Sequence, residues 1–553
     1  MASLTTKILN SLGWILSNVL AKNGIQVVRR IVLWQFLDAA AFGLNATVWM
    51  VINTLDMLRD MGFANALLQR KGDLQSAISV TFWTNLVIHL SVYGVIVAVA
   101  PAVAAHFAEP ELVPLLRYTG IIVLLRAFGK ASFVLLQKEF RFKAILYINV
   151  TEMVTTTAAI LAFAATGYGV WSFVWGTMIG TVFRNVASWI ARPVRVGKFD
   201  LRVAKEMFDF AKHMTISTLA LMLIRNMPIY FVGKFLGMSA CGFYVEAERL
   251  AGLVATNVTR LLGSILFPAF SEIGENYTRV RRAWGTAVRY VTILIMPLGL
   301  GMVLFSREIL LGFYPDVLEV AIVPMSVLAL FSVFRGVAST LSDVSKGVGK
   351  PWTLTRSAMV HAILMAPCLL VSVVAPRYFG DLVGLLGQLS LPEYLLLRLS
   401  LTLSEVEAGI AFASLAVSGT AVISVANLFA LCHREVGITV AETRAALRPA
   451  LWAGLGMGVC AILARGGLYA TLAELNALVL ASGSVLGAAL VTSLDNFRYP
   501  LVLGVGGALA FAAYAAILHF VFPEVASELL ARLRRRATES PRKKKGKRVE
   551  ATV

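Results

Sequence analysis

The sequence predicts an all-α polytopic membrane protein, and three observations carry that expectation. Of its 553 residues, 58% are hydrophobic and only 15% are charged, with a mean hydropathy of +0.77; this is far too apolar for a water-soluble fold. The apolar residues come in runs of roughly 20, the length a helix needs to cross a hydrocarbon core about 30 Å thick. The sequence lacks the alternating segments of about ten residues that would mark a transmembrane β-barrel.

Setting the apolar runs against their breakers places helices at 8–36, 41–61, 77–105, 112–136, 145–166, 170–191, 208–236, 240–268, 285–305, 318–341, 353–375, 409–431, 450–466 and 500–522, about fourteen transmembrane helices. The first run follows Lys7 and is broken by Lys22, Arg29 and Arg30. It has no uninterrupted core leading to a cleavage site, so it reads as a retained helix and not a signal peptide. The loops alternate in charge. Arg70/Lys71, Lys138/Arg141/Lys143, Arg192 to Lys205, Arg279 to Arg282, Lys346 to Arg356 and His433 to Arg448 are basic, whereas 107–111 and 166–169 are acidic or neutral. The positive-inside rule puts the basic set and the N-terminus in the cytoplasm.

Two segments disturb this order, 376–404 and 474–493. If 474–493 alone crossed, the basic tail would lie outside; if both crossed, the His433–Arg448 loop would. Loop charge therefore favours fourteen full spans, with both segments interfacial or re-entrant.

The net charge is +19, and much of it sits in the tail from Arg532 to Arg548. Such a tail cannot bury enough apolar surface to fold. On a membrane protein it reads as a cytoplasmic segment drawn to anionic lipid headgroups, not as a nucleic-acid binder. Cys241, Cys368, Cys432 and Cys460 are scattered without metal-ligand or redox spacing and read as small core residues. Ser345-Lys346-Gly347-Val348-Gly349-Lys350-Pro351 lacks the phosphate-loop pattern, and the six histidines form no H-E-x-x-H. No cofactor, metal or catalytic residue is expected.

An internal repeat divides the chain. Phe36-Leu37-Asp38-Ala39-Ala40-Ala41-Phe42-Gly43-Leu44 resembles Phe235-Leu236-Gly237-Met238-Ser239-Ala240-Cys241-Gly242-Phe243 at a shift of 199 residues. Arg126 and Arg335 also occupy similar places in two helices that each precede a basic loop. The expectation is two pseudo-repeated six-helix lobes, 1–204 and 205–435, the second with a long external connection at 376–404. Extra C-terminal helices over 436–525 and a basic tail over 526–553 complete the chain. Duplicated transporters of this kind place their site at the repeat interface near mid-membrane.

The candidate site consists of basic residues at membrane depth. A cation there costs several kcal/mol at least, so it faces a protein interior or a watery cavity and marks function. In helix 1, Asn18, Lys22, Gln26 and Arg29 recur at i, i+4, i+8 and i+11 on one face, with Arg30 one step round. Helix 8 repeats the theme with Glu246, Arg249, Thr256 and Arg260. Lys22, Arg126, Arg225 and Arg335 lie deeper in their segments than Arg29, Arg30, Arg249 and Arg260. For these last four, an interfacial position or an ion pair such as Arg249 with Glu246 competes with substrate binding. Arg59, Lys212 and Lys234 read as snorkelling residues. Asn45, Asn53 and Asp56 form a polar face on helix 2. Pro228 follows Arg225 and Asn226, and with Pro268 and Pro297 it is placed to bend a helix, for alternating access or as a static packing kink.

Leu136-Gln137-Lys138-Glu139-Phe140-Arg141-Phe142-Lys143, Gly167-Tyr168-Gly169-Val170-Trp171-Ser172, Gly242-Phe243-Tyr244-Val245-Glu246-Ala247-Glu248-Arg249-Leu250 and Phe267-Pro268-Ala269-Phe270-Ser271 resemble the polysaccharide-transporter branch of the multidrug/oligosaccharidyl-lipid/polysaccharide exporter superfamily, which holds Wzx-type flippases and exopolysaccharide exporters. The resemblance covers roughly 8–466 and, more weakly, 500–535, and departs at 376–404 and 467–498. It implies a V-shaped two-lobed bundle in the bacterial inner membrane that flips a polyprenyl-pyrophosphate-linked glycan for polysaccharide biosynthesis. Membrane lipids, a polysaccharide polymerase and a chain-length regulator would be its partners, with no nucleic acid. Two alternatives stay open at this point: a cation-coupled multidrug exporter of the same superfamily, which would want deep carboxylates, and a membrane polysaccharide polymerase.

Overall fold

The structure is a computed structural model that describes residues 24–59, 67, 74–203, 216–274, 276–350, 352–374, 405–481, 497–525 and 527. Asn18, Lys22, the 376–404 connection and the basic tail lie outside the described residues, as do the side chains of Asp56 and Arg260. The described residues are helical with short turns and no strand.

The helices run in order as α1 (24–33), α2 (Ala39–Arg59), α3 (Leu74–Phe107), α4 (Leu112–Lys138), α5 (Phe142–Ala165), α6 (Trp171–Ala191), α7 (Ile216–Leu236) and α8 (Met238–Ile273). They continue as α9 (Tyr277–Leu304), α10 (Ser306–Phe313), a 3-10 turn (Asp316–Ala321), α11 (Ile322–Gly347), α12 (Trp352–Val374), α13 (Glu405–Val436), α14 (Val440–Ala481) and α15 (Gly507–Val521). Nine helices among the described residues are long and apolar enough to cross a membrane.

At two helices, caps explain a start earlier than the one hydropathy predicts. Hydropathy marks where a helix enters hydrocarbon, whereas a cap marks where its backbone starts. The Asn276 side chain accepts the Arg279 amide at 3.2 Å and starts α9 two turns before the apolar run. Thr439 and Glu442 form a reciprocal capping box: the Thr439 hydroxyl accepts the Glu442 amide at 3.3 Å, and the Glu442 carboxylate accepts the Thr439 amide at 3.0 Å. From there α14 runs unbroken for 42 residues. Of the segment 474–493, expected to be interfacial or re-entrant, residues 474–481 continue α14 without the break expected after 466, and 482–493 lie outside the described residues. Pro449 sits ten residues into α14 and does not end it. The region between 305 and 318, expected as a loop, contains the short helix α10.

The chain forms two compact units. The first comprises 1–249, 314–324 and 355–424; the second comprises 250–313, 325–354 and 425–553. In the first unit α3 packs along α4, α5 along α6, and α4 along α6. Small residues let the backbones close up. A Cβ on Gly176 would lie 2.3 Å from Ile160, and one on Gly180 would lie 1.8 Å from the Thr156 hydroxyl. Gly167 makes the tight α5–α6 turn with φ of +83°, a conformation that suits glycine.

Successive helices reverse direction, so the ends near 33–39, 107–112 and 236–238 share one side, here the first side. His106 meets Tyr230 there at 2.9 Å. The ends near 59, 74, 138–142 and 191 share the second side. Gln75 and Trp83 there donate to the carbonyls of Arg195 and Gly197, and Lys138 donates to the Leu67 carbonyl.

The two segments that resemble each other in sequence, 36–44 and 235–243, touch on the first side. A Cβ on Gly43 would lie 1.8 Å from the Met238 carbonyl oxygen, and one on Gly242 would lie 2.0 Å from the Ala39 carbonyl oxygen. At the 199-residue shift Gly43 corresponds to Gly242 and Ala39 to Met238. The contact is therefore isologous, with each half giving the other the same pair of residues.

The second unit packs around Trp284, fully buried with its indole N–H donating to Thr340 at 3.1 Å. Val280, Val288, Leu341, Val344 and Ile438 surround it. A further core joins α9, α14 and α15, where the Tyr514 hydroxyl donates to the Ile293 carbonyl at 3.0 Å.

Gly242→Leu should cost about 1–3 kcal/mol or more, because the backbone oxygen it strikes cannot give way. Gly507→Ala, with nothing within 4 Å of its new methyl, should be neutral or stabilising by up to about 1 kcal/mol. Thermal unfolding of both variants in one detergent gives the comparison. Thr439→Ala should lose about 1 kcal/mol through the broken cap, read in the same assay.

Candidate functional site

Basic residues from α1 and α8 converge in the first unit, close to the first side. Arg30 Nη1 donates to Glu246 Oε2 at 3.0 Å, and the Tyr314 hydroxyl reaches Glu246 Oε1 at 3.4 Å. The pair is buried, with 10% of the Arg30 side chain and 1% of the Glu246 side chain exposed. The Arg30 guanidinium also stands 5.1 Å from the Phe42 ring centroid, and Phe42 stacks on Trp34 at 4.2 Å. Aromatic faces thus hold the cation where water is excluded.

Arg249 Nη2 donates to Gln26 Oε1 at 3.0 Å. Gln26 belongs to the polar stripe predicted on helix 1, and Arg29 follows on the same face. Arg29 and Arg249 both lie within electrostatic range of Arg30 and Glu246. Nε of Arg29 and Nε of Arg30 are buried without a hydrogen-bond partner among the described residues. Three guanidiniums therefore share one carboxylate, and buried donors remain to be satisfied. The acid pairs with Arg30, leaving Arg249 with a neutral amide instead of the Glu246 partner considered from sequence. Such a cluster suits an anion with several oxygens, because guanidinium offers a fork of donors matched to phosphate or carboxylate.

The other expected residues are placed as follows. Arg126 is half-buried on α4, with its guanidinium 5.2 Å from the Trp49 ring centroid. Arg225 is exposed on α7. Its neighbour Asn226 donates to the Thr54 hydroxyl at 2.9 Å and so ties α7 to α2, beside the exposed Asn53. Arg335 is exposed on α11 and belongs to the second unit. The backbone of Arg260 continues α8; its side chain and all of Lys22 lie outside the described residues. The structure thus brings Arg29, Arg30 and Arg249 together. Arg126, Arg225 and Asn53 stand elsewhere in the same unit.

Two further ionic groups were not assembled from sequence. On the second-side half of the first unit, Arg184 of α6 bonds both carboxylate oxygens of Glu152 on α5 at 3.2 and 3.4 Å and lies 4.7 Å from the Phe133 ring centroid. In the second unit the fully buried Glu308 meets Arg465 at 2.7 Å and the Tyr469 hydroxyl at 3.0 Å. Tyr314 was missed as well. A lone acid in an apolar helix was the signal for Glu152, since it demands a cation on a neighbouring helix. No group of three or more metal-ligating side chains occurs among the described residues.

Comparison with known proteins fits this geometry. The succinoglycan biosynthesis transport protein ExoT of Rhizobium meliloti is 24% identical over 64% of this chain and 72% of its own length. The teichuronic acid biosynthesis protein TuaB of Bacillus subtilis is 22% identical over 61% and 70%. The lipopolysaccharide biosynthesis protein WzxC of Escherichia coli is 20% identical over 70% and 77%. Among solved structures, the lipid II flippase MurJ in an inward closed conformation aligns over 93% of this chain and 99% of its own, with 12% identity and a TM-score of 0.58. An inward-facing multidrug resistance MATE family transporter aligns over 77% and 95%, with 13% identity and a TM-score of 0.54. These structures share the fold, and with nine long apolar helices among the described residues the chain is a multi-pass membrane protein. Residues 32–322, more than half of the chain, match the polysaccharide biosynthesis protein family, and the chain belongs to that family.

Proposed function

We propose that this protein is a flippase for lipid-linked oligosaccharides: it moves polyprenyl-pyrophosphate-linked sugar units across the bacterial inner membrane for polysaccharide biosynthesis, by alternating access. The observation that carries the reading is the excess of buried guanidinium over carboxylate at Arg29, Arg30, Arg249 and Glu246. Holding a diphosphate at low dielectric needs counter-charge and donors, and this cluster supplies both. Lys22, Arg126, Arg225, Arg260 and Arg335 are further candidates along the path, and Asn53 and Asn226 for sugar hydroxyls. The prenyl tail stays in lipid.

Loop charge supports a cytoplasmic N-terminus and basic tail. With that orientation the second side of the first unit is cytoplasmic, and the arginine cluster lies in the outer half. The division into lobes 1–204 and 205–435, with about fourteen crossings, belongs to the same proposal. A polymerase and a chain-length regulator would act on the product. A multidrug exporter fits less well, because Glu152, Glu246 and Glu308 each face an arginine, leaving little free negative charge for a cationic drug.

In a deletion strain, lipid-linked units should accumulate on the cytoplasmic face of the membrane; unpolymerised units on the outer face would instead mark a polymerase. Arg249→Gln or Arg29→Gln should cut polysaccharide output about tenfold or more at normal protein level, as expected for loss of a charge-assisted bond to substrate. Wild-type output from both variants would overturn the assignment. Arg30→Gln should instead lower the amount of folded protein, because Glu246 loses the one guanidinium bonded to it, and breaking a buried ion pair costs about 3–5 kcal/mol. Adding Glu246→Gln should restore that amount, measured by size-exclusion chromatography.

A further inference from the structure

A patch that is both basic and apolar lies on the second side of the first unit, where the chain leaves α6. Residues 193–200 run outside any helix, and three α3 side chains at i, i+4 and i+8 stitch them to that helix. Gln75 donates to the Arg195 carbonyl at 2.6 Å, Ser79 accepts the Gly197 amide at 2.8 Å, and Trp83 donates to the Gly197 carbonyl at 3.1 Å. Val194 is buried in the core that α3 and α4 share. Arg195 and Lys198 are exposed, and neither has an acidic partner among the described residues. The acids of this stretch are engaged elsewhere: Glu139 bonds Arg192 at 2.7 Å, and Asp200 accepts the amides of Arg202 and Val203 at 2.9 and 3.3 Å.

The chain climbs back toward the membrane as it goes, since Arg195 is level with Gln75 and Gly197 with Ser79 and Trp83. Trp83 lies 24 residues (107 − 83) before the first-side end of α3 at Phe107. At 1.5 Å per residue that is about 36 Å, just beyond a hydrocarbon core about 30 Å thick. Lipid headgroups occupy this level. Trp83 is 40% exposed there, and Phe199 and Leu201, two and four residues past Gly197, are 47% and 76% exposed. Headgroup phosphates answer the cations and acyl chains cover the apolar side chains, so one molecule satisfies both halves of the patch.

We propose that residues 195–201 form a docking surface for an anionic phospholipid of the leaflet on the second side. Arg195 and Lys198 take its phosphate, and Phe199 and Leu201 enter the acyl boundary. The lipid fastens the connector after α6 to the membrane, as Gln75, Ser79 and Trp83 fasten it to α3. The surface is separate from the arginine cluster near the first side and does not depend on the flippase reading.

Full-length protein in nanodiscs of equal parts phosphatidylcholine and phosphatidylglycerol tests this, with a photo-crosslinking residue in place of the exposed Leu201. Crosslinks to phosphatidylglycerol should outnumber those to phosphatidylcholine about tenfold. Arg195→Gln combined with Lys198→Gln should bring the two yields level. The contacts to α3 at this stretch run through main-chain atoms of 195 and 197, so this variant should keep the size-exclusion profile of the unchanged protein. Arg279→Gln, which removes an exposed cation from α9, should leave the preference as it was. In the unchanged protein, high salt should level the yields by screening the exposed charges. Equal yields from the two lipids at low salt would overturn the proposal, as would a preference that survives high salt or survives in the Arg195/Lys198 variant. In native membranes, a crosslink to a polypeptide in place of lipid would overturn it in favour of a protein partner. Loss of the phosphatidylglycerol signal on adding inorganic phosphate would overturn the lipid in favour of a free anion.

Discussion

A guanidinium inside a bilayer must be answered by something, and much of the arrangement in the first unit follows from how the answers are distributed. Arg30 takes the carboxylate of Glu246 and the face of Phe42, which stacks on Trp34. Arg249 is given only an amide, and Nε of Arg29 meets no acceptor among the described residues. One ion pair thus fixes the geometry of the cluster, and the remaining cations are left under-compensated at a defined place. Removing charge from water is costly unless it is repaid, so an arrangement that repays only one of three cations is poised to accept an anion.

The same accounting separates this site from the second unit. There Glu308 is fully enclosed and meets one arginine and one tyrosine. The charges match, and the group fastens α10 to α14. The two buried glutamates look alike in composition and differ in stoichiometry, one matched by a single arginine and the other outnumbered.

Much of this could be read from the sequence. The helices were legible because hydrocarbon thickness imposes a length on every crossing, and the stripe of Gln26 and Arg29 because a helix places i and i+3 on one face. The sequence match between 36–44 and 235–243 marks Gly43 and Gly242, where the close approach of two backbones excludes a side chain. Helix starts were misplaced where polar caps, such as Asn276 and Thr439, lie outside the apolar run. The partners of the cations were largely hidden. Tyr314 meets Glu246 across 68 residues and Arg465 meets Glu308 across more than 150, and no local pattern reports such pairings. Burial was hidden too: Arg126 and Arg335 occupy similar places in sequence, yet one leans on Trp49 and the other is exposed.

The glycine contact on the first side has a further meaning. Because Gly43 meets Met238 while Gly242 meets Ala39, the interface maps onto itself when the repeats are exchanged. Each carbonyl oxygen stands where the facing segment's side chain would begin. A larger residue at either glycine therefore strikes main chain rather than a movable side chain, and the patch tolerates one on neither side.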